Sequence, residues 1–269
     1  MVATRDSAIG VFDSGIGGLT VAKEIIRQLP TESIVYFGDT ARVPYGPKSP
    51  DTVRRYSHEI AQFLVTQGVK SIVVACNTAT AHALTMLREQ LLIPVIGVVE
   101  PGARAAVAAT TSNRIGVIGT VGTIASGAYE RAILALNRDV VVTARAAPLL
   151  VPLVEEGWTE HPASRLIVEE YLRPFATAEI DTLVLGCTHY PLLKPLIAAV
   201  MGPGVQLIDS AAETASETAR VLEKRGIAAF DGHAVSHRFI ASDDPLQFLR
   251  LGQRFLGGTI ESVEICTLG

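Results

Sequence analysis

Short apolar runs alternate with stretches of helical periodicity along most of the chain. Strand-like runs cover Ala8 to Phe12 (AIGVF), Ser33 to Gly38 (SIVYFG), the run ending at Cys76 within Ile72 to Ala81 (IVVACNTATA), and Pro94 to Val98 (PVIGV). Further on come the run opening Ile115 to Ile124 (IGVIGTVGTI), Val140 to Arg145, the run ending at Cys187 within Asp181 to Leu193 (DTLVLGCTHYPLL), and Val205 to Asp209 (VQLID). His237 to Ala241 and Glu261 to Cys266 read as late strands. Between these runs, helical spacing covers Leu19 to Leu29, about Pro50 to Gln67, Thr78 to about Leu91, Ala163 to about Phe175 with a stop at Pro174, about Ala212 to Lys224, and about Pro245 to Phe255. A further helix opens at Glu100-Pro101-Gly102, and a short one follows Pro191. Val53, Tyr56, Ile60, Phe63 and Leu64 share one face of their helix. Continuous apolar runs bounded by polar residues are the mark of strands buried on both faces. Their alternation with helices predicts an α/β fold built on parallel sheets.

Two landmarks recur at nearly one offset. Ile9 to Gly18 (IGVFDSGIGG) is echoed by Ile115 to Ile124, 106 residues on, and Cys76 by Cys187, 111 residues on. Each cysteine ends an apolar run and is followed by small or hydroxyl-bearing residues, Asn77 and Thr78 in one case and Thr188 and His189 in the other. The spacing suggests two related halves of strand-turn-helix units. Each thiol then lies at the carboxyl end of a strand, where open α/β sheets bind ligands. The halves differ in chemistry: the first turn carries Asp13 where the second has Gly119.

The turn Asp13-Ser14-Gly15-Ile16-Gly17-Gly18 joins a strand to a helix and leaves N–H groups suited to an anion. It is neither a Walker loop nor GxGxxG, so nucleotide binding has little support. The plainer reading is a tight turn with Asp13 or Ser14 as helix N-cap. The loop Asp39 to Gly46 is shaped by Pro44 and Gly46, and loops at strand ends often carry function. Glu155 and Glu156 are adjacent, so at most one faces a pocket. His58 reads as a surface residue and His161 as incidental. Asp209 or Ser210 reads as the N-cap of the following helix, and Cys266 as a buried or incidental thiol.

Composition narrows the class. The 269 residues suit one large or two medium α/β units. The net charge is −4 and there is no block of basic residues, which argues against nucleic acid as a partner. No apolar stretch approaches the roughly 18 residues of a membrane span. The opening MVATRDSAIG holds no apolar signal core, and three cysteines do not make a disulfide framework. Both point to a reducing compartment, the cytoplasm, where a cysteine is metal-binding, catalytic or simply buried.

The two thiols limit the chemistry. Zinc sites pair ligands at short spacing; these cysteines are isolated, so no metal is expected. A cysteine hydrolase needs one nucleophile and a histidine base, which leaves the second thiol unexplained. A dithiol redox pair lacks CxxC. Inversion of a carbon beside a carboxylate uses both: a thiolate removes the proton from one face and a thiol returns one to the other. Both cysteines precede an expected helix start, which lowers a thiol pKa and favours a thiolate near neutral pH. Asp13, Glu155 and His189 are placed in sequence to set protonation states or relay protons. Asp13 can pair with an ammonium group, and Ser14, Asn77, Thr78 and Thr188 with helix-start N–H groups can hold carboxylates. None of the five lysines stands in a recognisable pyridoxal-phosphate context, so a cofactor-free reaction is favoured.

GVFDSGIGGLTV, YFGDTARVPYG, VVACNTATA, GVVEPG, GVIGT, LVEEG and LGCTHYPLL together resemble the glutamate racemase family, in the family's order, and LIDSAAETA with the final FLG and IESVE extends the match. The pair ACNTA and GCTHYPL is specific in combination. The resemblance implies cofactor-independent interconversion of L- and D-glutamate, supplying D-glutamate for peptidoglycan and hence cell-wall biogenesis and cell shape. It implies Cys76 and Cys187 as the acid/base pair, with Asp13, Glu155 and His189 as supporting catalytic groups. Glu156 stays open beside Glu155. Substrate contacts implied are Asp13, Ser14, Tyr45, Gly46, Asn77, Thr78, Thr188 and His189. The implied fold is two pseudo-symmetric parallel-sheet α/β domains with the active site in the cleft between them, and the implied assembly is a homodimer. Residues 1–98 with 209–269 would form the domain of Cys76, and 99–208 that of Cys187. Two other readings stand beside this one: a relative acting on aspartate or another α-substituted acid, and a non-catalytic binding protein with both cysteines as buried strand-end residues.

Overall fold

The computed structural model describes residues 4–230, 232, 234–258 and 260–268. Met1 to Ala3 of the opening stretch, read above as lacking a signal core, lie outside the described residues. The chain opens with β1 (Ile9–Asp13), α1 (Leu19–Gln28), β2 (Ile34–Gly38), α2 (Pro50–Thr66), β3 (Ser71–Val74), α3 (Asn77–Gln90) and β4 (Val95–Gly97). It continues through α4 (Val99–Ala109), β5 (Arg114–Gly119), α5 (Val121–Ala125), α6 (Ala128–Leu136), β6 (Val141–Ala146), α7 (Leu150–Glu155), α8 (Pro162–Thr177) and β7 (Thr182–Gly186). A 3₁₀ turn over Tyr190–Leu193 precedes α9 (Lys194–Met201), β8 (Gln206–Asp209), α10 (Ala211–Arg225), β9 (His237–Ala241), α11 (Pro245–Leu256) and β10 (Glu264–Ile265).

Two parallel sheets result. The first has the order β10-β9-β2-β1-β3-β4 and the second β6-β5-β7-β8. Removing β9 and β10 leaves the same order in both, with β1 matched by β5 and β3 by β7. The register repeats as well: Phe12 lies opposite Val74, and Ile118 opposite Leu185. The sequence echo is therefore a repeat of strand pairing, and it brings Cys76 and Cys187 to equivalent strand ends. β1, β2, β3 and β7 are buried along their whole length, as parallel strands covered on both faces require. One apolar cluster runs through both halves, from Val11 and Val73 to Ile118 and Leu185. A second cluster backs the first sheet and a third backs the second.

Several local expectations change. Pro174 does not stop its helix, which runs to Thr177. A proline in the last turn forfeits one N–H bond with little helix left to lose. His161 is not incidental: it is the N-cap of α8, its Nδ1 accepting from Ala163 N–H at 3.1 Å, and its ring stacks on Trp158. Of Asp209 and Ser210, Ser210 holds the N-cap position of α10 as expected, though without a side-chain cap bond; Asp209 pairs with Lys194 at 3.0 Å. The late strand expected over Glu261 to Cys266 shrinks to two exposed residues, because β10 is an edge strand with only β9 to pair with. Ala128–Leu136 forms a helix that the sequence reading did not assign. Among the described residues, no helix is long and apolar enough to cross a membrane.

Candidate active site

The loops at the carboxyl ends of the two sheets face each other across a cavity of about 300 Å³. Ser14, Tyr45, Gly46, Cys76, Asn77 and Thr78 line it from the first half, and Glu155, Cys187, Thr188 and His189 from the second. Asp13 is the one candidate residue outside the lining. It is fully buried, with its carboxylate turned back to accept from Gly15 N–H at 3.0 Å. Thr188 Oγ1 lies 3.5 Å from its Oδ2 and donates to it across the two halves. The glycine turn therefore holds the protein's own carboxylate, which corrects the expectation of a free anion cradle. Nor is Asp13 or Ser14 the cap of α1, whose cap position is Gly18. Gly17 is required by close approach: a Cβ there would meet Thr188 Oγ1 at 2.3 Å and His189 Nδ1 at 2.5 Å.

Cys76 is the N-cap of α3. Its sulfur accepts from Ala79 N–H at 3.4 Å, and its thiol donates to Ser14 Oγ at 3.7 Å. The sequence reading expected the helix start to favour a thiolate here. The structure reverses that: burial, with Asp13 adding negative charge, outweighs the Ala79 N–H and pushes the thiol up to about 12. Cys187 does not precede an α-helix directly; the next element is one turn of 3₁₀ helix, which runs on into α9. Its neighbour is His189, whose Nδ1 lies 3.9 Å from the sulfur. His189 Nε2 contacts Glu155 Oε1 at 3.0 Å. Burial opposes charge on this imidazole, but Cys187 and Glu155 outweigh it and raise His189 to about 10. Of the two adjacent glutamates, Glu155 faces the cavity while Glu156 is exposed at the end of α7. Asp13 is raised by burial, a shift opposed by His189 and by the N–H groups of Gly18, Gly15 and Ser14.

The loop after β2 is fixed from beneath. Asp39, fully buried, accepts from the Tyr45 hydroxyl, from Arg42 Nε at 2.8 Å and from Ser242 Oγ at 2.9 Å. The Val43-Pro44 peptide in this loop is cis. Gly46 reaches the opposite half, where its carbonyl accepts from Gly122 N–H at 2.8 Å. Three threonine hydroxyls, Thr78, Thr120 and Thr123, bond to one another across the same seam. His82 Nε2 lies 3.1 Å from Gly122 O, and Tyr129 donates to Asn77 Oδ1 at 2.7 Å.

Sequence reading missed the cavity residues Thr120, Val121, Pro148, Val151 and Pro152. Thr120 had a usable signal, since it follows the strand end that echoes Asp13. The others lie on α5 and around α7, where nothing marks a wall residue. Arranged this way, the site offers two buried sulfurs, one from each half, both lining a cavity with room for a small molecule. Among the described residues, no three His, Cys, Asp or Glu side chains converge as metal ligands.

Comparison with known proteins places these features in context. The family model for Asp/Glu/hydantoin racemases matches residues 9–218. A glutamate racemase of Geobacter metallireducens is 56% identical over 256 residues, 95% of each chain. The crystal structure of a glutamate racemase isoform from Bacillus anthracis superposes with a TM-score of 0.93 at 48% identity, covering 97% of each chain. That of the Francisella tularensis glutamate racemase in complex with D-glutamate gives 0.92 at 38% identity, covering 98% of each.

Proposed function

The chain belongs to the Asp/Glu/hydantoin racemase family, and from that premise we propose that it is a glutamate racemase that inverts the α-carbon by two opposed thiols. The observation that carries this reading is the pair of buried sulfurs at equivalent strand ends, both lining one cavity. A substrate carbon held between them exposes opposite faces to Cys76 and Cys187. In one direction the thiolate of Cys187 takes the α-proton, and the electron pair left on carbon delocalises into the α-carboxylate. The thiol of Cys76 then delivers its proton to the other face. The reverse reaction swaps the roles, and one proton is gained and one lost at carbon in either direction.

The surroundings support a division of labour. His189, charged through its contacts with Cys187 and Glu155, sits where it can stabilise a Cys187 thiolate. Cys76 rests as the thiol. Its burial also makes its thiolate, once formed, a stronger base toward a weak carbon acid. Asn77 and Thr78 are the carboxylate donors, with Ser14 beside them, and Thr188 joins them when its hydroxyl proton leaves Asp13. Tyr45 and Gly46 shape the wall of the cavity. Asp13 takes no direct contact with the cavity in this form; it orders the glycine turn and holds Thr188, and it can meet the substrate ammonium only if the turn opens. No step needs a group beyond these side chains.

We assign residues 1–98 with 209–269 to one domain and 99–208 to the other; the first sheet draws its strands from Ile9–Gly97 and His237–Ile265, the second from Arg114–Asp209, so the second boundary falls at the last residue of β8. The product D-glutamate serves peptidoglycan synthesis in this reading, and the enzyme works in the cytoplasm, where its free thiols stay reduced. A homodimer is proposed from the family resemblance; sedimentation velocity tests it.

The test uses purified protein in deuterated water without added cofactor, supplied with L-glutamate and separately with L-aspartate. Loss of optical rotation with α-deuteration is expected for glutamate. Exchange with aspartate alone would reassign the substrate, and exchange with neither would overturn the racemase reading.

A further inference from the structure

Tyr129 is a buried residue of α6 that no step above uses. Its ring is 3% exposed and fills a slot shaped by two glycines. A Cβ on Gly186, the residue before Cys187, would meet the ring at 3.1 Å, and one on Gly102 of α4 would meet it at 3.3 Å. Its hydroxyl leaves this half of the molecule and donates to Asn77 Oδ1 at 2.7 Å, beside Cys76. Ser210, at the return crossing between the halves, lies in the same slot, its Cβ 3.2 Å from where a Cβ on Gly102 would stand. Burial keeps the phenol protonated, and its single proton goes to Asn77.

An asparagine amide is ambivalent: one end accepts and the other donates, and the two ends have nearly the same shape. A carboxylate on the cavity side needs the donor end. With Oδ1 engaged by Tyr129, the amide nitrogen is the end left for a ligand. We infer that Tyr129 is a positioning residue that fixes the Asn77 amide with its nitrogen toward the cavity, making Asn77 an obligate donor to a substrate carboxylate. The inference rests on the proposed function for the identity of that carboxylate. Tyr129 also ties the strand end of Cys187 to the helix start of Cys76, so one side chain registers both thiol supports. Without its hydroxyl, Asn77 can turn its oxygen to the ligand, where it repels a carboxylate.

The test is a double-mutant cycle of Tyr129→Phe and Asn77→Ala. Calorimetric Kd for D-glutamate and the steady-state KM and kcat are measured for all four proteins. Tyr129→Phe is expected to weaken Kd and raise KM about tenfold, the loss of one bond to a charged group, with kcat changed less than threefold. On the Asn77→Ala background the same substitution is expected to change Kd less than twofold. An equal penalty on both backgrounds, or none on the wild type, overturns the inference. A ligand-free readout makes it independent of turnover: the Asn77 side-chain amide signal, identified by its loss in Asn77→Ala, should be rigid in the wild type and mobile in Tyr129→Phe. Equal rigidity would overturn the inference even if the protein proved inactive. Wild-type binding and inversion of glutamate with additive variants would overturn it while leaving the proposed function intact. Should Tyr129→Phe fold poorly, the wild-type Asn77 amide signal decides in its place: a rigid amide is expected, and a mobile one overturns the inference.

Discussion

The two halves share a frame and differ at both ends of it. At the carboxyl ends of β3 and β7 stand Cys76 and Cys187, equally buried. Cys76 has Asp13 nearby and a single N–H for relief, and burial pushes it up to about 12. Cys187 has His189, itself raised to about 10, with Glu155 behind it. Lys70 and Asp181 mark the opposite ends of the same strands, again at equivalent positions. Lys70 is buried against Glu32 at 2.5 Å and donates to Arg5 O. Asp181 instead accepts from Thr110 Oγ1 and from the N–H groups of Thr111 and Ser112. Duplicated backbone geometry thus fixes where a group sits, while unrelated side chains decide its charge. The proposed two-thiol inversion uses that combination: matched positions on either side of one cavity, and neighbours that are not alike.

The largest expected effect tests the matching. Cys76→Ser and Cys187→Ser should each lower kcat for glutamate by at least about 10³-fold, near the upper end for a lost acid or base. Native-like turnover in either variant would break the comparison at its centre. Lys70→Met tests the other ends. It leaves the Glu32 carboxylate buried and unpaired, and should destabilise the fold by about 3–5 kcal/mol in urea unfolding. Asp181→Asn should cost less, since its backbone donors are partly exposed.

Smaller effects sharpen the asymmetry. In Glu155→Gln, His189 loses one of the two groups that hold its proton, and kcat should fall about tenfold with the alkaline limb moved to lower pH. The sign for stability follows from a raised histidine pKa. The contribution is full below about pH 6.5, the usual value, and is lost as pH rises toward about 10. Unfolding free energy should therefore fall over that range with a slope of at most about 1.4 kcal/mol per pH unit per proton, and less steeply in Glu155→Gln. Ser14→Ala removes the 3.7 Å acceptor of the Cys76 thiol and one cavity hydroxyl beside the carboxylate donors, and should change kcat two- to threefold.

What could be read beforehand follows from range. Apolar runs and their polar ends are local, so the parallel strands, the echo and both strand-end thiols were legible from residue order. Glu155 could not be separated from Glu156, because α7 is six residues long and gives no phase to read. The acidity of Cys76 was misread because helix position is local and burial is not. Tyr129, His82 and Thr123 were missed for the same reason: each acts on a residue 40 or more positions away. The edge strands β6 and β10 are exposed; both were legible as strands, but β10 forms over only Glu264–Ile265 of the stretch expected.

The central claim is that the two thiols work from opposite faces with separate protons. It is tested most directly by isotope partition at early conversion. L-glutamate is supplied in deuterated water and both enantiomers are recovered before a tenth has turned over. Two opposed thiols predict D-glutamate carrying deuterium at the α-carbon, while the remaining L-glutamate keeps its protium. Protium carried over into the D-glutamate, or deuterium entering the unreacted L-glutamate at the same rate, would contradict it and point to one group serving both faces.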